Sequence, residues 1–221
     1  MISSPIVPAF IPTSVADLAA AVFAVGHVPE VHVDVTDGQF VPFRSWPYIT
    51  PDSPLSAITI LEPFALEVDL MVAEPLPAAA DWLRVGADRL VFHVESITLE
   101  AFIRFVESTP ITVGIAANND TAYDVLREYL AAADFVQVMG IAHIGVQGQP
   151  FDERAFARIA SIQSNFPQLP ISVDGSVNSE TLPRLLSYRL ERYIVGSAIV
   201  KSTNPAESYQ SFSELARSQQ G

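Results

Sequence analysis

The chain has 221 residues, 49% of them hydrophobic, a formal net charge of −13 and no cysteine. This suits one domain over residues 1–221 with a sizeable core, and it excludes disulfides and thiolate metal sites. The acidity and the lack of a basic patch argue against nucleic acid or an anionic membrane surface as partner, and no apolar run is long enough to span a bilayer.

Val- and Ile-rich runs alternate with amphipathic segments along the whole sequence. In order, the pattern predicts strand Pro5–Phe10, helix Val15–Val25, strand Glu30–Thr36, helix Pro54–Ile60, strand Ala65–Met71 and helix Pro77–Val85. Next come strand Arg89–Glu95, helix Leu99–Glu107, strand Ile111–Ala116, helix Ala122–Ala132, strand Asp134–Met139 and helix Glu153–Ser164. Strand Ile171–Asp174, helix Ser179–Ser187, strand Tyr193–Val195 and helix Pro205–Arg217 complete the series. Asn119-Asp120-Thr121 and Asn178-Ser179 read as helix caps, and Gly86 as the stop after the third helix. Eight strand–helix units predict an α/β fold, the closed parallel (β/α)8 TIM barrel. The Pro-rich stretch Pro42–Pro54 reads as an extended loop, either a cover for the barrel mouth or an irregular connection. With no leader-like segment at the start, a cytoplasmic location is expected.

In such a barrel the chemistry sits at the carboxyl ends of the strands. His32-Val33-Asp34-Val35-Thr36 alternates polar and apolar, so His32 and Asp34 share one face just before the Asp37-Gly38 turn. The third strand adds Glu67, Asp69 and Met71, the fourth His93 and Glu95, and the seventh ends in Asp174. Asp34, Asp69 and Asp174 then converge on His32. Three close carboxylates repel one another and raise one another's pKa, and a divalent cation is the simplest way to hold them together. The competing reading is a set of strand-end carboxylates that cap loops and helices.

These residues carry a family resemblance along nearly the whole chain. His32-Val33-Asp34-Val35-Thr36-Asp37-Gly38-Gln39-Phe40-Val41-Pro42 resembles the HVDVMDGHFVP segment of the ribulose-phosphate 3-epimerases. Glu67-Val68-Asp69-Leu70-Met71-Val72 resembles DVHLMV, Phe92-His93-Val94-Glu95 the strand-four HVE, and Gly114-Ile115-Ala116-Ala117-Asn118 GVALN. Val138-Met139 followed by Gly148-Gln149-Pro150-Phe151 resembles VMSVNPGFGGQKF, Val173-Asp174-Gly175-Ser176-Val177-Asn178 resembles VDGGVN, and Val195-Gly196-Ser197-Ala198-Ile199 resembles AGSAIF.

The resemblance implies proton exchange beside the ketone of a sugar phosphate, such as ribulose 5-phosphate to xylulose 5-phosphate in pentose phosphate metabolism. Asp34 and Asp174 match the two acids that work through an enediolate. His32, Asp34, Asp69 and Asp174 match the ligands of one divalent metal ion (Mn, Mg, Zn or Fe). Met71 and Met139 match methionines that line the substrate, and Ala9 lies at another lining position. Gly148, Gly175, Ser176, Gly196 and Ser197 match the loops that hold phosphate on backbone N–H groups. A homo-oligomer is a family-level expectation.

The pattern also breaks within the site. Asp69 stands where the family has a metal-binding His, and Ala9 where it has a Ser. Thr36 replaces a methionine, Phe43 an asparagine, and the Ala142–Gln147 loop lacks most of the family's glycines. One His with three Asp makes the site more negative and favours a harder ion such as Mn²⁺ or Mg²⁺. Two readings follow: a divergent epimerase, or a catalytically silent barrel that binds a ligand or partner. A lyase or decarboxylase on a similar barrel would need a lysine beside Asp69, whereas Lys201, the only lysine, lies after the eighth strand.

Overall fold

A computed structural model describes residues 4–50, 52–145 and 148–218. All the expected strands form, and they follow one another around a closed parallel barrel. They are β1 (Ile6–Phe10), β2 (Glu30–Thr36), β3 (Ala65–Met71), β4 (Arg89–His93), β5 (Thr112–Ala117), β6 (Phe135–Met139), β7 (Ile171–Asp174) and β8 (Arg192–Val195), and β8 pairs with β1 to shut the ring. The helices are α1 (Val15–Val25), α2 (Ile58–Leu61), α3 (Pro75–Val85), α4 (Leu99–Ser108), α5 (Tyr123–Leu130), α6 (Arg154–Asn165), α7 (Leu182–Leu186), α8 (Ser197–Val200) and α9 (Pro205–Ser218). No helix of the described residues is long and apolar enough to cross a membrane.

Alternation along the strands divides the protein into two interiors. Val31, Val33 and Val35 of β2 and Val68 and Leu70 of β3 point outward and pack with the helices in the main apolar core. The intervening residues point to the barrel axis, where Met71, Val91, Phe135 and Met139 form a second, smaller apolar cluster. Caps start several helices as their residues predict. Ser14 accepts from the Asp17 N–H at α1, Thr98 accepts from the Ala101 N–H at α4, and Gly86 closes α3 at φ 104°.

Local side-chain chemistry explains where boundaries differ. Asn178 Oδ1 accepts from the N–H groups of Glu180 and Thr181, forming a turn that holds the backbone out of helix until Leu182. Asn119 does not cap α5: its amide donates to the carbonyls of Met139 and Ile141 and to Asp152, tying β5 to β6. The predicted helix Pro54–Ile60 divides into a 3₁₀ turn, Pro54–Ala57, and α2. The stretch Pro42–Pro54 is an irregular connection pinned to the barrel flank, with Pro51 outside the described residues. Its Trp46 is buried edge-on against Trp82 of α3, and the Trp46 indole N–H donates to Asp52 at 2.7 Å. Val41, just upstream, reaches over the mouth instead and packs with Met71, Met139 and Ile144.

Candidate active site

The ladder between β2 and β3 aligns His32 with Glu67 and Asp34 with Asp69, so two polar pairs stack along the barrel axis. Asp174 arrives at the end of β7 from across the barrel. One ligand atom from each of His32, Asp34, Asp69 and Asp174 lies within 4.8 Å of every other. His32 and Asp69 are fully buried, and Asp174, the most open member, is 9% exposed. A direct cation site is thus compatible with an aspartate at position 69. Hard oxygen donors around one imidazole could hold a divalent ion.

Each carboxylate has a distinct environment. Burial pushes the Asp34 carboxyl above its usual range, although a 3.2 Å contact with His32 Nε2 offsets part of the effect. Burial and then the charge of Asp34 push Asp174 up further. Asp69 is clamped: His93 Nε2 donates to Oδ1 at 2.8 Å and Gln137 Nε2 donates to Oδ2 at 2.8 Å. Burial works against protonation of His32, but its bonds to Asp34 and Glu67 outweigh this and hold it well above an ordinary imidazole.

Below the cluster lies a second polar layer. Glu67 Oε1 accepts from His32 Nδ1 at 2.7 Å, and Oε2 accepts from Arg89 Nε at 2.7 Å and from Arg192 Nη1. Burial alone would raise Glu67. The His32 bond and the two guanidinium charges win and hold it far below the usual carboxylate range.

Above the cluster, one cleft gathers most of the residues that sequence reasoning singled out. Ala9, Asp34, Met71, Met139, Gly148, Asp174, Gly175, Ser176, Gly196 and Ser197 all line it, while His32 and Asp69 lie beneath. No Lys or Arg lines the cleft among the described residues. Close backbone packing shapes its rim. The Gly140 N–H donates to the Asp174 carbonyl at 2.6 Å, and a Cβ on Gly140 would sit 2.1 Å from the Gly175 carbonyl oxygen. Ser176 has a left-handed φ of 52°, uncommon for a residue with a side chain, and its Oγ donates to the Gln149 carbonyl.

Sequence comparison adds the decisive observation: the family model described as "Ribulose-phosphate 3 epimerase family" matches residues 5–200. The chain belongs to that family. It is an isomerase of the epimerase type. It is 29% identical to the ribulose-phosphate 3-epimerase of Treponema pallidum over 180 residues, 78% of this chain and 79% of the relative. Against the enzyme of the same name from Eremothecium gossypii it is 30% identical over 178 residues, 76% of this chain and 74% of the relative. Among solved structures, KGPDC from Streptococcus mutans in complex with D-R5P matches with a TM-score of 0.75 at 13% identity, covering 100% of both chains. The 3-hexulose-6-phosphate synthase of Salmonella typhimurium matches with a TM-score of 0.72 at 16% identity, covering 97% of this chain and 99% of its own. Likeness at such identities shows the shared barrel fold.

Within this epimerase-family barrel, some polar residues stand apart from the cluster. Strand β4 ends at His93, so Glu95 falls outside it, where it is exposed and accepts from the Asn118 N–H at 2.8 Å and from the Thr121 hydroxyl. His143 is exposed on its loop and Lys201 lies beside a separate cleft next to α1, while Val146 and Gln147 fall outside the described residues. Sequence reasoning missed Gln137. Its signal was a lone amide at an inward position of the otherwise apolar strand Phe135-Val136-Gln137-Val138-Met139.

Proposed function

We propose that this enzyme epimerises a phosphorylated ketose, ribulose 5-phosphate or a related sugar phosphate, by proton transfer between Asp34 and Asp174. One observation carries the reading: two buried carboxyls with raised pKa values meet at the floor of one open cleft. Burial favours the proton-bearing form of each acid, so one can deliver a proton while its partner accepts one. One aspartate takes the proton from the carbon beside the ketone, leaving a planar enediolate. The other returns a proton to the opposite face, and the centre inverts. Met71 and Met139 present soft, apolar surface to the planar intermediate and exclude water. The backbone N–H groups of Gly148, Ser176, Gly196 and Ser197 are the phosphate donors, consistent with a cleft that carries no cationic side chain among the described residues, while the Gly175 N–H donates to the Asp174 carboxyl.

His32, Asp34, Asp69 and Asp174 are the residues that would hold a divalent cation. When bound, it supplies positive charge beside the oxygen on which negative charge develops. Three carboxylates and one imidazole suit Mg²⁺ or Mn²⁺ better than Zn²⁺.

The test is conversion of ribulose 5-phosphate by purified protein, with chelator and with Mn²⁺, Mg²⁺ or Zn²⁺ restored. Activity should depend on metal, and solvent deuterium should enter at the inverted carbon. Asp34→Asn and Asp174→Asn should each lower the rate by at least ~10³-fold, within the range for loss of a general acid or base. An unchanged rate in either variant defeats the two-acid mechanism. Inactivity on every pentulose and hexulose phosphate, with no metal bound, would support a ligand-binding barrel instead.

A further inference from the structure

We propose that Glu67 is a positioning residue for the cation site: it fixes the His32 ring so that Nε2 faces the cluster. The inference rests on the reading above for what the cluster binds. His32 and Glu67 are register partners on adjacent strands, and both are fully buried. Their side chains meet at 2.7 Å through Nδ1 and Oε1. The other Glu67 oxygen accepts from Arg89 and Arg192, so the carboxylate is held on both sides. A carboxylate so placed only accepts hydrogen bonds, so Nδ1 carries a hydrogen, and once a cation displaces the proton that Nε2 shares with Asp34 at 3.2 Å, Nε2 offers that cation its lone pair. Turning the ring over would set a carbon against the Glu67 oxygen and leave a buried acceptor unpaired.

Glu67 is itself anchored from below. The Arg89 guanidinium lies 4.0 Å from the centre of the Phe135 ring, and Arg192 also binds Glu30. Two guanidinium groups, one carboxylate and one imidazole thus form a continuous chain from the amino end of the barrel to the cation site. A carboxylate behind a metal-binding His fixes ring orientation and raises ligand basicity, and its loss weakens metal affinity by about 10–100-fold.

The experiment measures Mn²⁺ affinity by titration calorimetry for the wild type and Glu67→Gln, with circular dichroism to verify folding. Binding by the variant should be ~10–100-fold weaker. A folded variant that binds Mn²⁺ as tightly as the wild type overturns the proposal and reduces Glu67 to a structural ion pair. Should the variant fail to fold, ¹⁵N NMR of the Mg²⁺-loaded wild type decides. The expected result is a His32 ring protonated at Nδ1 alone, and a proton on Nε2 overturns the proposal. Wild-type protein that binds Mn²⁺ without epimerising any ketose phosphate sinks the functional reading and leaves this one standing. Wild-type protein that binds no divalent ion sinks the positioning role.

Discussion

Two charged layers share the barrel axis, and they are balanced in opposite ways. Glu67 and Asp69 sit two residues apart on β3, about 7 Å along one strand face. In the lower layer Glu67 meets two guanidinium groups, and its carboxyl is held far below the ordinary range. Glu30, at the edge of that layer, shares Arg192 and is raised by burial. In the upper layer Asp34 and Asp69 meet imidazoles and an amide but no guanidinium, Asp174 meets the Gly175 N–H, and burial pushes Asp34 and Asp174 up. The contrast separates charge that completes the fold from charge that awaits a ligand. The lower carboxylate is satisfied by the chain itself. The upper ones leave a deficit of positive charge beneath an open cleft, where a cation can supply it.

The strongest test of this contrast removes one cation from the lower layer. Arg192→Met strips a guanidinium from Glu67 and Glu30 together and leaves buried negative charge without its full complement. Breaking a buried pair in this way costs about 3–5 kcal/mol, to be read from urea denaturation of the metal-free protein. Asp174→Asn in the same assay should be neutral or stabilising, because it removes a carboxyl that the fold already pushes towards its neutral form. Equal destabilisation by the two variants would erase the distinction between the layers.

A second test uses pH and metal together. The Asp34 and Asp174 carboxyls are raised above their usual 3.8. Their contribution to stability is therefore complete below pH 3.8 and lost as pH rises through the folded-state values. His32, raised above 6.5, likewise contributes fully below that pH and loses its contribution on further alkalinisation. Glu67 runs the other way: it is lowered from 4.5, so its contribution is present above pH 4.5 and is lost only as pH falls through its much lower folded value. Raising the pH from 5 to 9 should therefore weaken the metal-free protein through the upper layer and Glu30, while Glu67 keeps its contribution. Cation binding needs the same groups deprotonated, so it should tighten over that range and release protons. The melting-temperature gap between Mn²⁺-loaded and chelated protein should widen with pH, with about 2.7 kcal/mol of stabilisation once free metal reaches ~100 times Kd. A gap that narrows towards pH 9 would mean that the upper carboxylates do not receive the ion.

Alternation made most of this legible in the sequence. The β2 and β3 boundaries, the inward face bearing His32, Asp34 and Asp69, and the arrival of Asp174 at the same mouth all follow from a period of two on a closed barrel. The lower layer was harder to see. Glu30, Arg89 and Arg192 lie at the amino ends of three strands, where a charged residue ordinarily meets solvent, and only barrel closure brings Arg192 of β8 onto Glu67 of β3. Asn119 illustrates a different limit. Its position before a helix resembles a cap, yet the carbonyls of Met139, at the end of β6, and of Ile141, just beyond it, compete for the same amide and win.

The finest test concerns Asp69, where the chain departs from its family. Gln137 and His93 each occupy one Asp69 oxygen at 2.8 Å, leaving further lone pairs for a cation. Gln137→Leu removes one donor at nearly constant volume. The Gln137 Oε1 has no hydrogen-bond partner among the described residues, so its removal offsets the cost of leaving Asp69 Oδ2 without its amide donor, and a leucine there should change stability by no more than ~1 kcal/mol. Affinity should respond more than stability. With its second oxygen free to swing, Asp69 loses its fixed aim, and divalent binding should weaken about tenfold, the lower end of the effect for outer partners of metal ligands. Mg²⁺, which demands near-ideal octahedral geometry, should lose more than the adaptable Ca²⁺ in parallel calorimetric titrations. Unchanged affinity for both ions would show that His93 alone orients the carboxylate, and that the buried amide on β6 serves the lower, structural side of the comparison.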